Sequence, residues 1–255
     1  MNTLTIDIGN THTKYDFWAD DGFLIRKEFE DTDALIESVG SLSVEGIIVS
    51  SVKENPGRLI SRLNESTPCK VVCFNQAEIE KYKEKIQYKG KIGSDRIAAY
   101  LGGEALFPGL PMLVVDLGTA LTIDVADDEG KYRGGNISLG FISRMKALST
   151  ATSLLPEVEK SEGYISFGDN TVRSIQSGAI NGVIGEIKFA AERAKQEYNI
   201  KKTVITGGDG LRFYDLLNKE TDCFYDPYLV GRGLNRHLRM YYFGYPERYN
   251  FGVSI

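Results

Sequence analysis

Two stretches of the chain carry the same pattern, LTIDIGNTHTKYDF near the start and VVDLGTALTIDVAD near the middle. An apolar, β-branched run precedes each Asp-x-Gly turn, and a second strand-like stretch and an acidic turn follow it. Placing Asp7 over Asp116 gives an offset of 109 residues (116 minus 7). The same offset also aligns two further pairs, Gly9 with Gly118 and Thr13 with Thr122. A repeat of this kind predicts a chain built from two related halves.

Each half predicts the element order β-β-β-α-β-α-β, because short β-branched or aromatic runs end at turn formers and later alternate with helical stretches. Short apolar runs between helices are typical of parallel strands that are buried on both faces. In the first half we expect strands at 3–8, 14–19, 23–29, 46–52 and 70–74, with helices at 32–39 and from Pro56-Gly57. In the second half we expect strands at 112–117, 121–126, 131–137, KTVITGG and CFYDPYL, with helices at 141–197 (broken near Pro156–Gly168), 210–218 and 230–242.

These patterns predict an α/β fold with two duplicated halves of the ribonuclease H-like, actin/hexokinase type and a cleft between them. The predicted halves are residues 1–110 and 111–255, and the first includes an insertion at 75–110 that has no counterpart in the second. Insertions on a duplicated scaffold often carry specificity. The resemblance to the actin/hexokinase architecture implies that a nucleoside triphosphate is held between the two Asp-x-Gly hairpins.

The first hairpin, DIGNTHTK, has the composition of a phosphate-binding turn. Gly9 can take a positive φ and has no side chain, so backbone N–H groups can approach phosphate oxygens. Asp7 is a candidate ligand of Mg²⁺, directly or through water, because Mg²⁺ prefers oxygen ligands. The candidate ATP-binding residues are Asp7, Ile8, Gly9, Asn10, Thr11, His12, Thr13 and Lys14. Taken alone, the same letters also describe a plain glycine hairpin.

The second hairpin adds Thr119 to the candidate ATP contacts and Asp116 as a second carboxylate. Two carboxylates near one polyphosphate require cations to neutralise them. Asp124 is a weaker candidate, and a structural role as a hydrogen-bond acceptor suits it better. The glycines of GGNISLG and TGG are explained equally well by close packing or by a nucleotide that lies across them. Thr171 is a plausible N-cap of the helix that carries Gly178, Gly182 and Gly185 at close-packing intervals.

The segment KIGSDRIAAYLGG predicts a helix with Asp95 in its first turn. An aspartate there commonly offsets the helix dipole and caps amides. Alternatively, Asp95 is a general base that accepts the proton of a substrate hydroxyl, while Arg96 pairs with an anionic group through its guanidinium fork. Residue propensity alone does not separate these two interpretations.

Composition excludes several classes of protein. The net charge is −5 and the basic residues are scattered, so we expect no nucleic-acid partner. No apolar run approaches the ~20 residues that span a bilayer, and no signal peptide is evident, so we expect no membrane association. Three cysteines without a Cys-x-x-Cys pair are typical of reduced thiols, which predicts a cytoplasmic protein.

The full set of motifs resembles that of the type III pantothenate kinases, which catalyse the first step of coenzyme A synthesis. In family order, the matching motifs are Asp7-x-Gly9-Asn10-Thr11, Gly93-x-Asp95-Arg96, Asp116-x-Gly118-Thr119-Ala120, Gly134-Gly135-x-Ile137, Asn170-Thr171 and Thr206-Gly207-Gly208. The resemblance covers nearly the whole chain. It implies ATP-dependent phosphorylation of pantothenate to 4′-phosphopantothenate by a cytoplasmic homodimer.

The resemblance also implies roles for individual residues. Asp95 would be the catalytic base, and Asp116 would bind a monovalent cation, K⁺ or NH₄⁺. The implied pantothenate contacts are Tyr88, Gly93, Ser94, Asp95, Arg96 and Thr171. Two rival interpretations stay open: another small-molecule kinase or phosphatase of the same fold, and a non-catalytic accessory factor in transcription.

Overall fold

The computed structural model describes residues 1–20, 22–53, 56–159, 163–218 and 222–246. Its strands are β1 (Thr3–Ile8), β2 (Thr13–Ala19), β3 (Gly22–Phe29), β4 (Gly46–Ser51), β5 (Lys70–Cys73), β6 (Met112–Leu117), β7 (Ala120–Ala126), β8 (Tyr132–Leu139), β9 (Lys202–Thr206) and β10 (Cys223–Tyr225). Its helices are α1 (Thr32–Gly40), α2 (Gly57–Ser66), α3 (Gln76–Ile79), α4 (Ser94–Leu106), α5 (Phe141–Ala151), α6 (Thr171–Tyr198), α7 (Gly210–Leu217) and α8 (Leu229–Phe243). A 3₁₀ turn (Glu80–Tyr82) follows α3.

The strands form two five-stranded sheets with the same topology. The first has the order β3-β2-β1-β4-β5, and the second has the equivalent order β8-β7-β6-β9-β10. In each sheet the two central strands of the hairpin, β1 with β2 and β6 with β7, are antiparallel. The following crossover strand is parallel to the first, β4 beside β1 and β9 beside β6. The predicted α/β fold with duplicated halves is therefore confirmed.

Contacts divide the chain into two compact units. The first contains residues 1–109, 130–132 and the described residues from Tyr228 onward, and the second contains residues 110–129 and 133–227. The division at residue 110 follows the sequence repeat and stays a prediction about the duplicated halves. The compact units follow contacts, and they place α8 with the first sheet.

Side-chain alternation separates the two faces of the first sheet. Leu4 and Ile6 of β1 join a buried apolar cluster with α1 and α2 on one face. Thr3 and Thr5 face the other way, where the Thr3 hydroxyl donates to Asn235 of α8 at 2.7 Å. Since successive strand residues point to opposite faces, Asp7 lies on the α8 face.

The second sheet is built in the same way. Leu113, Val115 and Leu117 of β6 pack into the apolar cluster that α5, α6 and α7 complete. Alternation therefore directs Asp116 to the opposite face of this sheet. The aspartates of the two Asp-x-Gly motifs thus occupy equivalent positions. Each lies at the end of a central strand, on the face away from the apolar cluster of its own sheet.

Helix α8 packs along α4 because glycines allow the two backbones to approach closely. A Cβ at Gly233 would lie 1.8 Å from the Ala98 carbonyl oxygen, and one at Gly102 would lie 2.1 Å from that of Leu229. Real Cβ atoms do not come this near to backbone oxygens, so only glycine fits at either position. This contact places the body of α4 in the first unit.

A buried polar cluster joins α8 to the start of the 75–110 insertion. His237 has no exposed surface. Its Nδ1 lies 2.8 Å from the Tyr82 hydroxyl, and its Nε2 lies 2.6 Å from Glu78. Burial lowers the pKa of His237 to about 4, although Glu78 opposes the shift. The imidazole is therefore neutral, accepts a hydrogen bond from Tyr82 and donates one to Glu78.

We expect this histidine to make folding stability depend on pH. Its ordinary pKa is 6.5, so the unfolded chain binds the proton more readily than the native state between about pH 6.5 and pH 4. The free energy of unfolding should therefore fall on acidification across this window, by up to about 3 kcal/mol. Urea unfolding at pH 7.5 and pH 5 measures the loss.

Replacement of His237 by Gln should flatten this dependence, whereas the control His12→Gln should not. His12 is exposed on the β1–β2 turn, where its Nδ1 lies 3.8 Å from the exposed carboxylate of Glu28. An equally steep loss of stability in the His237 variant would contradict the assignment.

Candidate active site

The first hairpin places Asp7 and Lys14 opposite one another in the β1–β2 pair. The Lys14 Nζ lies 3.3 Å from a carboxylate oxygen of Asp7. Asn10, Thr11 and His12 are exposed on the turn. The strands thus present one acidic and one basic group beside a polar turn, as a site for a metal-bound phosphate chain requires.

Two further details of the hairpin concern Gly9 and Ile8. Gly9 does not adopt a positive φ. Its N–H donates to the His12 carbonyl at 3.0 Å, and a Cβ would lie 3.3 Å from that oxygen, so close approach rather than an unusual backbone angle favours glycine. Ile8 points to the opposite face from Asp7, where it lines a cavity of about 610 Å³ with residues of α2 such as Leu59. Asp7 does not line this cavity.

Helix α4 begins beside the end of β4. Its N-cap is Gly93, which offers no side-chain cap. The Ser94 hydroxyl accepts a hydrogen bond from the buried Ser50 hydroxyl at 2.9 Å. Ser50 lies directly opposite Asp7 in the parallel β1–β4 pair, so the two side chains share one face. The first turn of α4 and Asp7 therefore lie on the same face and at the same edge of the sheet.

Asp95 is half-buried in this first turn. Its Oδ1 accepts a hydrogen bond from the Arg96 backbone N–H at 2.8 Å. A Cβ at Gly93 would lie 2.5 Å from the same oxygen. The carboxylate thus folds back over Gly93, which gives the Gly-x-Asp spacing a physical reason.

The insertion also brings Tyr88 to this motif. The Arg96 guanidinium lies 5.7 Å from the centre of the Tyr88 ring, within the range of a cation–π contact. Arg96 is 5% exposed and Tyr88 is 39% exposed. Residues 88 and 93–96 are therefore neighbours, as the sequence analysis grouped them.

Ser50 is not among the site residues predicted from the sequence. The available signal was a hydroxyl within the apolar strand GIIVSS, at the position whose side chain shares a face with Asp7. Reading that signal required the β1–β4 register, which the sequence alone does not supply.

In the second unit, Asp116 lies at the end of β6 between two threonines. It is opposite Thr122 of β7 and opposite Thr206 of β9. Gly207 has a φ of +94°, and a Cβ there would lie 2.5 Å from an Asp116 carboxylate oxygen. One carboxylate and two hydroxyls therefore share a face of this sheet. Together they form an oxygen-rich environment.

The other predicted residues of the second unit occupy turns and a helix start. Thr119 is exposed, and its carbonyl accepts hydrogen bonds from the Gly140 N–H at 3.0 Å and the Ser143 hydroxyl at 2.7 Å. Thr171 is the first residue of α6, but the N-cap is Asn170, whose side chain accepts from the Arg173 N–H. The expectation that Thr171 caps the helix is therefore wrong.

Close packing explains part of the glycine pattern. A Cβ at Gly135 would lie 2.0 Å from the Ile123 carbonyl and 2.6 Å from the buried Asp124 carboxylate, and one at Gly140 would lie 1.9 Å from the Gly118 carbonyl. Gly208, by contrast, has no described atom within 4 Å of such a Cβ. Within α6, Gly178 and Gly185 also face open space.

Among the residues that the structure describes, no three His, Cys, Asp or Glu side chains gather as a metal site. No helix in the same ranges is both long and apolar enough to cross a bilayer. A magnesium ion that bridges phosphates needs only one or two protein carboxylates, because it keeps several waters. Asp7 at the hairpin fits that requirement.

Comparison with known proteins identifies the family. The sequence pattern described as type III pantothenate kinase matches residues 3–193. The chain is 32% identical over 238 residues to a type III pantothenate kinase of Bacteroides fragilis (strain YCH46), covering 92% of this chain and 96% of the relative. It is 33% identical over 262 residues to one of Fervidobacterium nodosum, covering 97% and 98%.

A solved structure from Campylobacter jejuni, assigned to the Baf family of transcriptional activators, has a TM-score of 0.61 and 23% identity, covering 93% of this chain and 98% of that one. At this identity the likeness shows the fold alone. The two matches to the kinases cover 96% and 98% of the relatives, and the residues 3–193 matched by the family span both hairpins and Gly93–Arg96. The chain therefore belongs to the type III pantothenate kinase family.

Proposed function

We propose that this protein transfers the γ-phosphate of ATP to the hydroxyl of pantothenate, forming 4′-phosphopantothenate in the first step of coenzyme A synthesis. One observation carries the proposal: the first turn of α4, which contains Asp95, lies on the same face and at the same edge of the sheet as Asp7. A candidate base and a candidate phosphate hairpin thus lie together in one unit. Family membership supports pantothenate as the acceptor.

Asp95 is the proposed general base. It accepts the proton of the acceptor hydroxyl as that oxygen attacks the γ-phosphorus, while the bond to the β-phosphate oxygen breaks and ADP leaves. The Arg96 N–H bond to Oδ1 orients the carboxylate. The Arg96 guanidinium, held near Tyr88, suits an anionic group such as the carboxylate of pantothenate.

Kinases of this family use ATP together with a divalent metal ion. We assign the phosphate chain to residues 7–14 and Thr119, and the metal to Asp7, directly or through water. When bound, the ion neutralises charge that develops on the phosphates. We assign Ser94 and Thr171 to pantothenate, together with Tyr88, Gly93, Asp95 and Arg96.

A monovalent cation, K⁺ or NH₄⁺, is assigned to Asp116. The carboxylate, with the hydroxyls of Thr122 and Thr206 on the same face, has the chemistry of a hard-cation surround. We expect Asp116→Ala to abolish activation by KCl, because the only charged member of the set is lost. Initial rates at increasing KCl, with ionic strength held constant by a bulky organic salt, measure this.

Asp222→Ala is a matched control, since Asp222 is an exposed carboxylate of the same unit that pairs with Lys202. It should keep the response of the parent protein to KCl. A rate that still rises normally with KCl in Asp116→Ala would contradict the assignment.

A coupled assay of ADP formation tests the substrate. Pantothenate should elicit turnover with Mg²⁺ and K⁺ present, whereas sugars and acetate should not. Turnover with a sugar or acetate instead would favour another kinase of this fold. No turnover with any acceptor would favour a non-catalytic role such as that of a transcription accessory factor.

We also propose that the enzyme is a homodimer in the cytoplasm, where ATP is supplied. Large apolar side chains of the second unit support an interface, since Phe189 is 68% exposed and Ile137 is 62% exposed. Light scattering coupled to size-exclusion chromatography should give twice the mass of one chain. The mass of a single chain would contradict the dimer.

A further inference from the structure

Ser50 connects the two parts of the candidate active site that lie in the first unit, the Asp-x-Gly hairpin and the first turn of α4. It is fully buried at the end of β4, and its hydroxyl donates to the Ser94 hydroxyl at 2.9 Å. Ser94 in turn donates to the Ser51 carbonyl at 3.4 Å, a long and weaker bond. Two hydroxyls thus tie the end of a central strand to the first residue of α4, one position before Asp95.

The same serine is also the neighbour of Asp7. Residues directly opposite in adjacent strands point to one face, and the β1–β4 register pairs Asp7 with Ser50. Ile47 and Val49 point to the other face of β4 and pack into the apolar cluster of α1 and α2. Ser50 therefore cannot join that cluster without a change of register. Ser50 therefore contacts the start of α4 from the strand position beside Asp7.

Side chains from other parts of the chain hold the region around the first turn of α4. Gly93 provides no side-chain cap, and the Asp95 Oδ1 accepts a hydrogen bond from the Arg96 backbone N–H. The Gln76 side chain holds the Ile92 carbonyl at 2.6 Å, before the helix begins. The Ser50–Ser94 bond joins the first residue of α4 to a strand residue 44 positions earlier in the chain.

The second unit repeats the arrangement. Thr206 occupies the position in β9 that Ser50 occupies in β4, directly opposite the aspartate of the Asp-x-Gly hairpin. A hydroxyl residue therefore stands beside the motif aspartate in both sheets. Such a repeat is consistent with a requirement of the site rather than of one strand.

We infer that Ser50 is a positioning residue: through Ser94 it sets the place of the Asp95 carboxylate relative to Asp7 and the phosphate hairpin. This inference rests on the proposed role of Asp95 as general base. Ser50 does not touch the reacting atoms. Its effect is on the geometry of proton removal, and a small misplacement of a catalytic group costs up to about 100-fold in rate.

The test is a double-mutant cycle on steady-state kinetics with pantothenate and ATP. We expect Ser50→Ala to lower kcat by about 10- to 100-fold while the KM for ATP changes little. In the Asp95→Asn background the same replacement should have almost no further effect, because the group that it positions no longer acts as a base. Ser50→Thr, which keeps the hydroxyl and is the residue found at 206, should restore most of the rate.

Ser38→Ala is the matched control. Ser38 shares a hydrogen bond of 3.0 Å with Tyr15 in the same unit, but it lies in α1 on the opposite face of the sheet. It should leave kcat unchanged. If Ser50→Ala proves too unstable to assay, Ser50→Cys keeps the volume, weakens the donor and carries the same expectation.

The outcomes separate the inference from the proposed function. An equal loss of kcat in the parent and Asp95→Asn backgrounds, or a parent-like kcat in Ser50→Ala, would overturn the positioning role. A parent protein that does not phosphorylate pantothenate would instead overturn the proposed function, which the parent assay shows before any Ser50 variant is made.

Discussion

Replacement of Asp95 by Asn should lower kcat by roughly 10²- to 10⁴-fold, the usual contribution of a general base. This corresponds to about 3 to 5 kcal/mol of transition-state stabilisation. The amide has nearly the same shape but cannot accept the proton of the attacking hydroxyl. ATP affinity should change little, because the residues assigned to the phosphate chain are in the hairpin. Fixed-time assays of the product measure kcat, and titration with nucleotide measures the affinity for ATP.

Asp33→Asn provides the control for this variant. Asp33 is also an aspartate in the first turn of a helix of the first unit, but its side chain is 73% exposed and pairs with Arg62. If the first-turn position mattered only through the helix dipole, both variants would behave alike. A kcat for Asp95→Asn as high as that of Asp33→Asn would rule out the base.

Gly93→Ala should reduce kcat by up to about 100-fold, because a misplaced catalytic group is costly. The backbone of Gly93 has φ −58° and ψ 134°, which alanine adopts without strain. The added Cβ would lie 2.5 Å from the Asp95 Oδ1, so the carboxylate must move. The expected result is therefore a loss of rate with little loss of thermal stability.

Gly40→Ala controls for the loss of a glycine near a helix end. A Cβ at Gly40 meets no described atom within 4 Å. Its kcat should equal that of the parent protein. A Gly93→Ala enzyme with full activity, or one that loses activity only as it unfolds, would contradict the account of the Gly-x-Asp spacing.

The strands and most helices could be predicted because their signals are local. Alternation of apolar residues and turn formers indicated β1, β2 and β6 within one residue of their ends. The likeness of the two sheets followed from the repeat, since two copies of one pattern build two copies of one topology. The grouping of Tyr88 with Gly93–Arg96 followed from the resemblance to the kinase family.

The parts that sequence did not supply depend on register and close approach. The role of Ser50 follows from the pairing of β1 with β4, which brings together residues 43 positions apart (50 minus 7). The place of α8 depends on backbone contact at Gly102 and Gly233, which has no periodic signature. Gly9 can take a positive φ, but a turn closed on the His12 carbonyl makes that unnecessary.

The most direct test of the central claim is the chemical identity of the product. The protein is incubated with ATP, Mg²⁺, K⁺ and pantothenate, and the mixture is followed by ³¹P NMR and mass spectrometry. The account predicts one new phosphate monoester on pantothenate, formed in equal amount with ADP and nearly absent with Asp95→Asn. Formation of ADP and free phosphate without phosphorylated pantothenate would contradict it.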